Sequence, residues 1–270
     1  MDFFTTTNGV AIRACDTGKG KTIVLLHGYL ETMEIWENTI TELSKTFRII
    51  ALDLPGHGFS GFREGATTME FMADCIKSLL DKLEISECCI IGHSMGGYVA
   101  LAFAKKYPET AKALCLFCST PNADTEQKKK DRDREIELIR AGKMELIIKN
   151  NISRGFANMN LSKLDEEIFA IEEIASISDT NGIIACLQAM KIREDMNGFM
   201  KTIQNKTLFV FGKYDNYITF DVAENIMQKY PQATTAILEN SGHNGFIEEP
   251  EKAMKAISDF AEKHSVKLLI

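Results

Sequence analysis

Cys88-Cys89-Ile90-Ile91-Gly92-His93-Ser94-Met95-Gly96-Gly97-Tyr98-Val99-Ala100-Leu101-Ala102-Phe103-Ala104 decides the fold. Four apolar residues of strand character run into a serine bracketed by glycines, and an apolar helical stretch follows at once. Strand, sharp turn, helix is the setting a nucleophile elbow needs. Glycines two residues before and two after the serine leave room for a cramped turn, which lifts the hydroxyl out of a sheet toward solvent or substrate. Ser94 is therefore the candidate nucleophile. A glycine-rich connection with a capping serine would read similarly, so the weight falls on its partners.

A serine hydroxyl is a poor nucleophile at neutral pH, so a base must take its proton and an acid must orient that base. Asp215 sits just past Thr207-Leu208-Phe209-Val210-Phe211-Gly212, a β-branched and aromatic run that reads as a buried parallel strand. His243 lies in Asn240-Ser241-Gly242-His243-Asn244-Gly245, after the strand-like Thr234-Thr235-Ala236-Ile237-Leu238 and before a helix beginning near Pro250. Both stand at carboxyl ends of strands, the edge along which open parallel sheets gather catalytic groups. Ser, Asp, His is also the chain order of one hydrolase class. Among other acids, Asp195 belongs to the end of a helical stretch, Asp221 to a helix start and Asp53 to a tight Pro-Gly turn. His27, His57 and His93 read as packing or turn residues.

Outward from these motifs, Phe3–Thr6 and Val10–Ala14 alternate around Asn8-Gly9, a hairpin signal. Strands near Thr22–Leu26, Phe47–Ala51, Cys88–Ile91, Ala113–Phe117, Leu208–Phe211 and Thr235–Leu238 alternate with helical stretches near Glu34–Ser44, Met69–Leu83, Ser94–Lys106, Phe220–Lys229 and Glu251–Lys263. That alternation predicts an α/β protein with a mostly parallel sheet covered on both faces. Between Pro121 and about Asn205 the strand rhythm stops and the text turns helical. The expected organisation is a core of residues 1–120 and 206–270 with a helical cap, residues 121–205, over the carboxyl edge of the sheet. The Lys128-Lys129-Lys130 run within it, interleaved with acids, reads as a solvated helix face.

At 270 residues, 45% hydrophobic and 26% charged, the chain can bury one sizeable core with an insertion. A net charge of −7 argues against a nucleic-acid partner. Seven cysteines in no framework-like spacing read as reduced thiols of a cytoplasmic protein. Cys115 and Cys118 would face opposite ways in a strand, so a shared metal is not expected. The residues from Met1 to Gly9 lack a basic start and a long apolar stretch, so neither signal peptide nor membrane partner is expected.

Together these motifs resemble the α/β-hydrolase fold family, in particular its small, lidded, bacterial-type esterases and lyases. The resemblance rests on His27-Gly28-Tyr29 after Ile23-Val24-Leu25-Leu26, on Asp53-Leu54-Pro55-Gly56-His57-Gly58-Phe59-Ser60, on the elbow, on Gly212-Lys213-Tyr214-Asp215, and on Gly242-His243 with Glu248-Glu249-Pro250. It implies an oxyanion hole made of the backbone amides of Tyr29 and Met95, the latter following the nucleophile. The dehalogenases and epoxide hydrolases of this fold carry an aspartate where this chain has Ser94.

The pocket residues expected from the motifs are Leu30, Tyr217, Ile218 and Phe246, with Phe156, Met159, Leu187 and Met190 descending from the cap. The function expected is hydrolysis of a small, largely apolar carboxylic ester through an acyl-enzyme, with a small-molecule substrate, no cofactor and no metal. Alternatives are a triad-dependent C–C hydrolase or lyase, for which Arg154 and Arg193 are the cap arginines to watch, and a non-catalytic ligand receptor on the same fold. Because the base must be neutral, turnover should rise through roughly pH 6 to 7, histidine's usual range. A rate profile flat down to about pH 4.5 would contradict a histidine base.

Overall fold

Runs of consecutively apolar residues can be strands only if both faces of the sheet are covered, and the chain has several. In the computed structural model, which describes residues 2–65 and 67–264, they form the centre of one eight-stranded sheet. Its strands are β1 (Asp2–Thr7), β2 (Val10–Gly18), β3 (Thr22–Leu26), β4 (Arg48–Leu52), β5 (Cys88–His93), β6 (Ala111–Phe117), β7 (Thr207–Gly212) and β8 (Thr234–Leu238). Their order is β1-β2-β4-β3-β5-β6-β7-β8, antiparallel at β1/β2 and β2/β4 and parallel from β4 onward. Every residue of β3, β5 and β7 is buried.

The helices are α1 (Glu37–Leu43), α2 (Met69–Lys82), α3 (Met95–Lys106), α4 (Glu126–Arg140), α5 (Met144–Arg154), α6 (Asp165–Ser176), α7 (Thr180–Ile192), α8 (Asn197–Ile203), α9 (Phe220–Lys229), α10 (Gly245–Glu248) and α11 (Pro250–His264). Because strand side chains alternate between faces, two apolar layers result. Val24, Leu26, Ile90, Leu116 and Phe209 pack with Ile76, Val99 and Phe103 of α2 and α3 on one face. Ile23, Leu25, Ile91, Phe117 and Val210 pack with Trp36, Ile257 and Phe260 on the other.

Two local differences from the sequence reading stand out. The second strand runs on to Gly18 because it pairs with β4 as well as β1. The stretch expected as a helix from Glu34 opens as a 3-10 turn, Met33–Trp36, before α1. Between β6 and β7 the chain is helical, α4 to α8, and its apolar positions, among them Ile136, Ile148 and Ile171, join the first of the two layers.

From β3 the chain crosses to β4 on one side and returns to β5 on the other, so the loops after β3 and β5 diverge from a topological switch point. Such a point is where open α/β sheets form a crevice beyond their carboxyl ends. The loop 27–32 and Ser94 lie there.

Candidate active site

Ser94 follows the last residue of β5 and has φ +50°, ψ −114°, a backbone state that non-glycine residues rarely take. The surroundings hold it there: Ser94 N donates to Phe117 O at 3.0 Å, and Ser94 O accepts from Ser119 Oγ at 2.7 Å and from Gly97 N at 3.0 Å. The flanking glycines are required by close approach. A Cβ on Gly92 would lie 2.2 Å from Gly96 O, and one on Gly96 would lie 2.5 Å from His27 O. Both clashes are with backbone, which cannot step aside. Gly92→Ala should therefore cost about 3 kcal/mol or more, seen in a thermal melt as a Tm lowered by roughly 6–12 °C. An unchanged Tm would show that the turn is looser than this packing.

Asp215 and His243 come together from the loops after β7 and β8. His243 Nδ1 donates to Asp215 Oδ2 at 2.7 Å, and Asp215 Oδ1 accepts from Tyr217 N at 2.7 Å and Ile218 N at 3.0 Å. Both side chains are buried, 4% and 6% exposed. Burial pushes the Asp215 carboxyl up, but His243 and the two amides outweigh it and hold it below the ordinary carboxylate range. The two loops meet because position 212 is glycine: a Cβ there would lie 1.8 Å from Gly242 O. From the helical insertion, Gly155 O accepts from His243 N at 2.7 Å and from Asn244 N at 3.2 Å. Glu248 accepts from Gly242 N at 2.7 Å and from Ala157 N at 2.8 Å.

Ser94 and His243 border one cavity of ≈ 290 Å³, with Tyr29, Tyr217, Ile218 and Met190 also in its wall. On either side of Tyr29 the loop amides are occupied: Gly28 N donates to Glu31 Oε2, and Leu30 N to His57 Nε2 at 3.3 Å. The amides of Tyr29 and Met95 have no protein acceptor among the described residues. Cys118, Asp215 and His243 are the only three metal-type donors among the described residues to lie within 4.8 Å of one another. The Asp215–His243 hydrogen bond already occupies two of them.

The rest of the expected pocket is placed elsewhere. Phe246 packs against Trp36, His93 and Phe117, in the second apolar layer. Leu30, Phe156 and Leu187 are fully buried in the apolar layer, and Met159 is 46% exposed. Arg154 does border the cavity, stacked 4.9 Å from the centre of the Tyr217 ring. Arg193 instead pairs with Asp124 and lies over Tyr98.

Polar residues of the insertion fill the places left by those apolar ones. Thr125 caps α4, its side chain accepting from Lys128 N, and the helix then presents Lys128, Arg132 and Glu135 along one face of the cavity. Arg132 is tied to Asp124. Glu135 Oε1 accepts from the Tyr29 hydroxyl at 2.9 Å and from Asn151 Nδ2 at 3.3 Å, while Tyr217 Oη donates to Asn151 Oδ1 at 3.1 Å. Burial pushes the Glu135 carboxyl above its ordinary value, with Tyr29 and Arg132 opposing. Sequence reading missed Arg132, Glu135, Asn151 and Glu31. The spacing 128, 132, 135 within the charged run was the available signal, since three- and four-residue steps share a helix face.

A parallel sheet with a strained serine at its switch point, an acid–imidazole pair at the same edge and a helical insertion above defines a class. The chain belongs to the α/β-hydrolase fold family, whose model matches residues 21–160. It is similar to a thermophilic esterase from Thermogutta terrifontis, with 28% identity, a TM-score of 0.92 and coverage of 98% of this chain and 100% of that one. It is also 27% identical to the AB hydrolase superfamily protein YisY of Bacillus subtilis over 96% of this chain and 98% of that protein. Against the pimeloyl-[acyl-carrier protein] methyl ester esterase of Nitrosospira multiformis it is 26% identical, covering 90% and 95%.

Proposed function

We propose that the chain is a serine esterase in which Ser94, His243 and Asp215 act as a triad on a small carboxylic ester. The observation that carries the reading is the 2.7 Å Asp215–His243 contact, its imidazole standing with Ser94 in the wall of one cavity. The esterase names of its relatives support it. His243 takes the Ser94 proton as Oγ bonds to the ester carbon, and the carbonyl oxygen, now negative, is held by the amides of Tyr29 and Met95. The C–O bond to the alcohol then breaks as His243 returns the proton to it. Water repeats the sequence on the acyl-enzyme and frees the acid and Ser94. Asp215 keeps Nδ1 protonated so that Nε2 faces the serine.

The substrate reading moves from largely apolar to polar. A cavity of ≈ 290 Å³ is small for a ligand site, and Glu135, Arg132 and Asn151 in its wall favour an ester carrying a hydrogen-bonding group near the reacting carbonyl. A fluorophosphonate should label intact protein at Ser94. Turnover of p-nitrophenyl esters should fall steadily from butyrate to dodecanoate. Absence of label at Ser94 would end the proposal, and a preference for the longest chain would end its substrate half.

C–C bond hydrolysis or lyase chemistry remains the second reading, because Arg132 and Arg154 do reach the cavity. Both readings need Ser94, so the deciding measurement is kcat/KM on p-nitrophenyl butyrate against that on a C–C substrate such as a β-diketone, the larger naming the reaction. Among the described residues no helix is long and apolar enough to cross a membrane. All seven cysteines are buried free thiols, which fits the cytoplasmic reading.

A further inference from the structure

Beside the Asp215–His243 pair lies a second carboxylate–imidazole contact that the proposed chemistry does not use. His93 and Glu31 are buried, 0% and 5% exposed. His93 Nδ1 lies 2.9 Å from Glu31 Oε2, and His93 Nε2 lies 3.1 Å from the carbonyl oxygen of His243. Trp36, Phe117 and Phe246 stand edge-on around the ring, and the His243 ring is 4.7 Å away.

The carbonyl partner of the His93 ring can only accept, and Glu31 can only accept when it is ionised. A carbonyl oxygen has no proton to give, and Glu31 Oε2 also accepts from Gly28 N, a bond that favours the carboxylate. Opposite a carboxylate, a neutral imidazole with its single N–H would set lone pair against lone pair at one of the two contacts. Two protons on the ring satisfy both. Burial pushes the Glu31 carboxyl up, but His93, with smaller help from His27 and Gly28 N, outweighs it and holds the group below its ordinary value.

We infer that Glu31 and His93 form a buried ion pair that clamps together the three loops of the site, acting as positioning residues for His243 and for the oxyanion loop. Glu31 holds Gly28 N, one residue before the Tyr29 amide. His93 is joined covalently to Ser94 and through its ring to the His243 backbone. Glycine at 28 makes the clamp possible, since a Cβ there would lie 2.7 Å from Glu31 Oε2, 2.9 Å from His93 Nδ1 and 3.1 Å from Ser94 Cβ. In Glu31→Gln the amide oxygen can still accept from Gly28 N, but the imidazolium loses its counter-charge. A neutral ring then gives up its bond either to residue 31 or to His243 O.

The kinetic consequence rests on the triad reading; the ion pair itself does not. In full-length protein with 15N-labelled histidine at pH 7, His93, assigned by its loss in His93→Gln, should show protons on both ring nitrogens. A single protonated nitrogen on His93 in the wild type overturns the pair. Glu31→Gln should abolish one of those protons and lower kcat on p-nitrophenyl butyrate by about a hundredfold, the scale of an ångström-sized misplacement, with KM within about twofold. Glu31→Asp, which keeps the charge, should lose less than Glu31→Gln. Wild-type kcat in a folded Glu31→Gln overturns the positioning role. If Ser94→Ala were to stay active, the triad would fall while the nitrogen spectrum still reported on Glu31 and His93.

Discussion

Ser94→Ala is expected to lower kcat on p-nitrophenyl butyrate by about a millionfold, the scale found when a triad serine is removed. The hydroxyl is the only group that the left-handed backbone at φ +50° carries to the cavity wall, and alanine keeps that backbone without the oxygen. The oxyanion amides and the cavity remain, so a residual rate above that in water should persist. Stability should hardly move. Alanine takes the same backbone state at the same cost as serine, and the partners that fix the turn, Phe117 O and Ser119 Oγ, bond the main chain of Ser94. A thermal melt within about 0.5 kcal/mol of wild type, beside loss of turnover, separates a missing nucleophile from a misfolded chain. Turnover within tenfold of wild type would remove Ser94 from the mechanism.

What could be read in the sequence divides along a physical line. The elbow was legible because its causes are local: Gly92 and Gly96 are set by backbone contacts within a few residues or with the neighbouring strand, and the flanking apolar runs are covered on both faces. Asp215 and His243 were legible because each lies in the loop after a strand of a parallel sheet, so topology brings both to one edge. The cavity wall was not. Apolar periodicity in α4 to α7 marks positions that pack, and Phe156 and Leu187 do pack, fully buried in the apolar layer and outside the cavity wall. The residues that reach the cavity, Arg132 and Glu135, hide in a run whose charges look like a solvated face until Tyr29 and Asn151 are placed opposite. Glu31 and His93 are 62 residues apart, and nothing along the chain announces their contact.

Asp215→Asn tests the other end of the proton path, and the hydrogen bonds around it fix the direction of the outcome. In the native site one carboxylate oxygen accepts from Tyr217 N and Ile218 N while the other accepts from His243 Nδ1. Asparagine has one oxygen, and two amides claim it. Its NH2 must then face Nδ1, which can meet a donor only as a bare nitrogen, so the imidazole proton moves to Nε2. In that tautomer Nε2 donates where it should accept, and the serine keeps its proton. The loss expected is about 10⁴-fold in kcat, with KM little changed because neither substituted atom is expected to touch substrate. The two retained bonds keep the 215–218 turn folded, so Tm should fall only slightly. Nitrogen NMR should show His243 carrying its proton on Nε2 in the variant and on Nδ1 in the wild type. A variant within tenfold of wild-type kcat would mean that Asp215 does not set the tautomer, and the acid would have to be sought elsewhere.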